Sequence, residues 1–138
     1  MRAYGILTNR RSDTGATIES ITEHIKKGLN VMAVQHLGRC LGLSVNDVLG
    51  VIRMSPRAYA RRRHSGASLG LLYSDRAYRI ARVIVLAEEV FGSGDIAHDW
   101  LVSYNRALGA KPYELLDTEV GVERVRTVLG RIEFGVYS

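Results

Sequence analysis

Five arginines crowd into eleven residues, Arg53, Arg57, Arg61, Arg62 and Arg63. Arg76, Arg79 and Arg82 follow, with Asp75 the only acid between Arg53 and Arg82. A guanidinium grips phosphate oxygens and also hydrogen-bonds guanine through two donors, so the chemistry on offer is recognition of an anion. A solvated basic face, or an anionic partner other than nucleic acid, would account for charge alone. The flanking residues tilt the reading toward DNA. Ser44 suits the N-cap of a short helix over 45–52 with Val45, Val48, Leu49 and Ile52 on one face, and Ser55-Pro56 suits the cap and first position of the next. Two short helices across a tight turn, the second one basic, match a helix-turn-helix whose second helix enters the major groove. On this reading the DNA-contacting residues are Ser55, Arg57, Arg61, Arg62 and Arg63, with Arg57 and Arg61 four apart on one face.

Catalytic constellations are weak beside this. His24, His36, His64 and His98 stand far apart and form no metal-binding pair of the HExxH kind. His98, Asp99 and Asp95 imitate a ligand cluster on one helical turn, but an ordinary polar helix is the simpler reading. Glu88 and Glu89 are adjacent, so on a helix they point apart and do not form an acid and base pair. No nucleophile elbow, Walker loop or dinucleotide fingerprint occurs. Cys40 is the sole cysteine, which excludes an internal disulfide and a thiolate zinc cluster; it reads as a packing residue. No enzyme, cofactor or metal is expected. The loop after Trp100 is more open: Asn105, Arg106, Ala107, Leu108 and Gly109 suit either a binding loop or a capped connection in which Asn105 satisfies backbone groups.

The elements that position these residues read as helices throughout. Residues 1–16 lack periodicity and read as a flexible arm. Ile18, Ile21 and Ile25 recur at helical spacing before Gly28, and Val34, Leu37 and Leu41 define a helix over 31–41 that Gly42 ends. Ser74 looks like the cap of a long helix over 75–91, whose two apolar stripes place it at the centre of the fold. Asp95 can cap the next helix, Pro112 starts a brief one, and Thr118 begins the last, with Val122, Val125, Leu129, Ile132 and Val136 as its stripe. No useful stretch alternates apolar and polar residues, so the class is all-α. The organisation expected is an arm over 1–16, a DNA-binding and dimerisation region over 17–73 and a helical domain over 74–138.

With 138 residues, 46% of them hydrophobic, the chain suits one compact domain or two small ones sharing a core. Its longest apolar run, 83–87, is far short of a membrane span and the first residues lack a signal peptide's apolar segment, so a cytosolic protein is expected. The net charge of +5 hides a division: residues 1–82 carry 14 basic against 5 acidic side chains, and residues 83–138 carry 5 against 9. The two halves face different partners. The ending GRIEFGVYS is oddly apolar for a terminus, with Ile132, Phe134, Val136 and Tyr137 in its last seven positions.

Taken together, AEEVFG at 87–92, Trp100-Leu101, N-x-A-L-G at 105–109, P-x-E-LLDT-x-x-G at 112–121 and GRIE-x-GVY at 130–137 resemble the toxin-binding domain of antitoxins in RES-Xre toxin-antitoxin pairs, the MbcA/ParS family. Residues 30–75 are similar to that family's Xre-type helix-turn-helix, although GASLGLLYS is more apolar than the polar linker usual there. The resemblance implies an antitoxin that covers the active-site entrance of a RES-domain toxin, an enzyme that consumes NAD or transfers ADP-ribose from it. It also implies a complex that represses its own promoter and contains a homodimer of this chain. The residues it assigns to toxin contact are Asn105, Arg106, Leu108, Gly109, Arg131, Val136, Tyr137 and Ser138. The basic half then suits operator DNA and the acidic half a toxin whose site attracts an anionic ligand. The alternative is a stand-alone repressor whose C-terminal half serves dimerisation.

Overall fold

A computed structural model describes residues 2–9 and 16–135. Regular structure among them is helical: α1 (Arg2–Leu7), α2 (Ile18–Lys27), α3 (Met32–Leu41), α4 (Val45–Ile52), α5 (Pro56–Ser65), α6 (Gly70–Phe91), α7 (Gly94–Val102), a 3₁₀ helix (Pro112–Asp117) and α8 (Glu119–Glu133). The all-α expectation holds. Side-chain caps begin most of these helices. Thr17, Ser44, Ser55, Ser93 and Thr118 each accept an N–H from the third residue of the helix they open, at 3.0–3.3 Å.

α6 is the axis on which α1, α2, α7 and α8 pack. Ala77, Ile80, Ala81, Val83, Ile84 and Ala87 are buried along it, so the two apolar stripes do place it at the centre. The core is one continuous cluster that takes Leu37 and Leu49 from the first half and Val125 and Leu129 from the second. The division expected between 73 and 74 therefore falls inside a helix and across a shared core.

Three expectations about the elements are corrected. Residues 2–7 of the supposed flexible arm are helical, with Ala3, Ile6 and Leu7 buried. A helix of six residues is not stable on its own; tertiary bonds hold this one. The Tyr4 hydroxyl lies 2.6 Å from His24 Nδ1, His36 Nδ1–H donates to the Leu7 carbonyl at 2.6 Å, and Arg2 pairs with Glu88 and Glu89. Ser93, not Asp95, caps α7. Ser74 is no cap at all: α6 starts four residues earlier, and the Ser74 hydroxyl is wholly buried, accepting the Leu29 N–H at 2.8 Å.

That bond, with Leu69 N–H to the Leu29 carbonyl at 2.8 Å, fastens the start of α6 to the end of α2. Ser74→Ala leaves the Leu29 N–H buried without an acceptor, so a loss of about 1–3 kcal/mol is expected. A chemical-denaturation midpoint that does not move would contradict it.

Candidate functional site

The α4–α5 pair is built as a tight turn of three residues, Arg53, Met54 and Ser55. Arg53 adopts the left-handed conformation (φ 59°, ψ 44°), a geometry that usually selects glycine and costs about 1–2 kcal/mol for other residues. Its neighbours offset that cost. Arg53 pairs with Asp117 at 3.5 Å, Met54 is buried, and Arg76 donates to the Ile52 carbonyl at 3.0 Å, satisfying the end of α4.

α5 carries no acid and buries a single residue, Tyr59. The four arginines and one serine expected to contact DNA separate into distinct roles. Arg57 and Arg61 are exposed and no described group holds them. The Ser55 hydroxyl is committed to the Ala58 N–H at 3.0 Å, so it positions the helix. Arg62 is half-buried; it donates to the Ser68 carbonyl at 2.8 Å and lies over the Tyr73 ring, locking the exit of α5. Arg63 is exposed and lies 6.0 Å from the Tyr59 ring centre. The Tyr59 hydroxyl is buried without a partner. Tyr59→Phe is therefore expected to keep or raise stability, by up to about 1 kcal/mol; a clear drop in melting temperature would mean the hydroxyl is satisfied after all.

The second surface lies where residues 104–110 meet α8. Asn105 Oδ1 accepts the Leu108 N–H at 3.1 Å, and its backbone pairs with Ala110, so its amide builds the loop. Leu108 is buried, and its carbonyl accepts from Arg124 at 3.0 Å, which ties the loop to α8. Gly109 takes φ +69°, a turn position that suits glycine. Of the residues expected to meet a toxin, Arg106, Gly109 and Arg131 are exposed, while Asn105 and Leu108 serve the loop itself. Val136, Tyr137 and Ser138 lie outside the described residues.

The loop and α8 carry three exposed apolar side chains, Tyr104 (67% exposed), Val120 (68%) and Phe134 (77%), none of them among the contact residues expected from the sequence. Val120, Arg124, Thr127, Arg131 and Phe134 recur at helical spacing, forming a face separate from the buried stripe. The signal was present in the register: Val120 and Phe134 are apolar residues that do not belong to the Val122-Val125-Leu129 repeat. A groove of about 300 Å³ runs along this face between Ala107, Leu108, Val120 and Arg131.

Nothing among the described residues resembles a catalytic or metal centre. Among the described residues no three His, Cys, Asp or Glu side chains are grouped to hold a metal, and the half-buried His98 lies 3.4 Å from Asp99. No described helix is long and apolar enough to cross a membrane. On the 3₁₀ helix, which packs on α4, burial and then the charges of Asp47 and Glu114 push the Tyr113 phenol above its ordinary value.

Comparison with known proteins adds to this geometry. A model of the antitoxin Xre-like helix-turn-helix domain matches residues 20–82, and a model of the antitoxin Xre/MbcA/ParS C-terminal toxin-binding domain matches residues 86–135. The two matches meet inside α6. A curated protein named antitoxin Xre from Photorhabdus laumondii subsp. laumondii is 31% identical over 129 residues, 92% of this chain and 85% of its own length. Another antitoxin Xre, from Yersinia enterocolitica serotype O:8 / biotype 1B, is 30% identical over 121 residues, 86% of this chain and 81% of its own.

Proposed function

Because the chain belongs to the Xre/MbcA/ParS antitoxins, we propose that it neutralises a cognate RES-domain toxin, an NAD-consuming or ADP-ribosylating enzyme, by lying across the entrance to its active site. The observation that carries this is the exposed face of Val120, Arg131 and Phe134 inside the matched toxin-binding domain. Apolar anchors around an arginine are what a tight protein interface is built on. Steric occlusion asks no chemistry of this chain.

The same reading assigns repression of the operon to α5, whose Arg57 and Arg61 are exposed with no acid on their helix. Phosphate contacts from such side chains give salt-dependent affinity, and contacts to base edges give specificity.

Co-expression with a neighbouring RES-type reading frame tests the toxin part. Purification through a tag on the toxin should bring this chain with it, and cellular NAD should be preserved only when the chain is present. If the chain does not co-purify and NAD falls regardless, the stand-alone repressor takes its place. Arg131→Glu, on the exposed face, is expected to weaken toxin association at least about tenfold without altering the melting temperature.

A further inference from the structure

Two arginines on one side of the fold lack a partner. Arg82 of α6 and Arg126 of α8 are exposed, and no described group forms a hydrogen bond or ion pair with either. Both line two adjoining lobes of one groove, about 280 Å³ and 180 Å³, which also share Tyr78 and Val83. The neighbouring acids are already engaged: Glu119 pairs with Arg79 at 3.0 Å and Glu89 with Arg2 at 3.3 Å. Like charges gathered on one groove repel each other and draw in an anion.

The charge pattern sets the size of that anion. Along this side of α6 the polar positions run Asp75, Tyr78, Arg82, Glu89, so the cation stands seven residues, about 10 Å, from a carboxylate in either direction. A long polyanion laid along the helix would meet those carboxylates. One or two phosphates held between Arg82 and Arg126 would not. A guanidinium binds phosphate oxygens through paired N–H donors, and two guanidiniums suit a diphosphate. The first lobe adds an apolar wall, in which Ala3 and Val83 are buried and Val85 and Leu86 half-buried. An apolar wall beside a few polar groups is the usual composition of a small-molecule site, and together the lobes reach the lower end of the roughly 300–1,000 Å³ common for one. Such a wall covers the flat face of a nucleobase.

The groove is separate from both surfaces described above. Tyr73 and Arg76, which meet Arg62 and the end of α4, lie on the far side of α6 from Arg82, so DNA held by α5 approaches from the other side. On α8, Arg126 stands about a third of a turn round from the face of Val120, Arg131 and Phe134.

We propose that the groove between α1, α6 and α8 binds a nucleoside diphosphate, with the diphosphate between Arg82 and Arg126 and the base against Val85 and Leu86. The proposal is independent of the DNA and toxin readings.

Isothermal titration calorimetry of the full chain with ADP at physiological salt tests it directly. ADP should bind with a dissociation constant below about 1 mM, and adenosine and pyrophosphate, each keeping half of the contacts, at least about tenfold more weakly. Arg82→Gln and Arg126→Gln should each weaken ADP binding at least about tenfold, because each removes a charged donor from the phosphates. Arg39→Gln, which removes an exposed cation of α3 outside the groove, should leave it unchanged. Circular dichroism checks that the variants fold. Should a glutamine variant fail to fold, Arg82→Lys or Arg126→Lys replaces it; the charge stays, the paired donors go, and a loss of at least about threefold is expected. Absence of binding at about 1 mM ADP overturns the proposal. So does binding that the folded variants leave intact. Pyrophosphate binding as tightly as ADP overturns it too and leaves a simple anion site. If a polyglutamate peptide binds the groove more tightly than ADP, or the variants lose toxin co-purification while ADP fails to bind, the groove belongs to a protein partner and the proposal falls.

Discussion

Arg57→Ala combined with Arg61→Ala is expected to lower operator affinity by about two to four orders of magnitude while leaving stability within about 0.5 kcal/mol of the native chain. Both side chains are exposed on α5, four residues apart, and no described group holds either. Removing them therefore disturbs no packing. What is lost is contact with DNA, about 1–3 kcal/mol for each guanidinium that reads a base. A phosphate contact has a different signature, a fall of about one in the slope of log affinity against log salt for each arginine removed. Fluorescence anisotropy on operator DNA at several salt concentrations separates the two. An affinity that does not change means α5 does not enter the groove.

Arg62→Ala is the instructive control. Its guanidinium is held by the Ser68 carbonyl and Tyr73, so it should lower the melting temperature. Any accompanying loss of DNA affinity would come from a loosened α5, not from a missing DNA contact. Toxin neutralisation should survive both changes, because the exposed face of α8 is built elsewhere.

The helix-turn-helix was legible because its signals are local. Ser44 and the Ser55-Pro56 pair each act on the turn they begin, and their hydroxyls do accept the expected N–H groups. Helices held by distant partners were not. α1 exists through His24, His36 and Glu88, up to 86 positions away, and no window of six residues can reveal that. Ser74 looked like a cap because a serine before an aspartate often is one, yet its hydroxyl belongs to Leu29 across the fold. Arg53 hid the turn chemistry, since its left-handed conformation is one that the sequence signals with glycine elsewhere. At the candidate toxin surface the loop motif was found, but Asn105 and Leu108 proved to build it. Val120 and Phe134, the apolar residues that face outward, lie outside the Val122-Val125-Leu129 repeat, and only the packing of α8 shows which of its faces stays exposed.

Gly121→Ala is expected to be among the most damaging single changes in the chain. Gly121 is the third residue of α8, and its N–H donates to Thr118 Oγ1 at 3.0 Å. A Cβ there would overlap the Leu115 carbonyl oxygen and stand 2.8 Å from the carbonyl carbon. Neither side can yield cheaply. Leu115 lies in the 3₁₀ helix between the buried Pro112 and Leu116, and α8 is fixed immediately afterwards by the buried Val122 and Val125.

Overpacking usually costs about 1–3 kcal/mol, and a clash with backbone instead of a movable side chain belongs at the upper end or beyond. For a chain of this size that lowers the melting temperature by about 10 °C. The glycine in LLDT-x-x-G is therefore required by a close backbone approach. Because the 3₁₀ helix also packs on α4 and holds Arg53 through Asp117, the displacement should reach the helix-turn-helix and weaken both DNA and toxin binding. Val120→Ala, one residue away but exposed, should leave the melting temperature unchanged and weaken toxin association alone. A Gly121→Ala variant that melts with the native chain would show that α8 and the 3₁₀ helix can separate, and that the two halves do not act as one core.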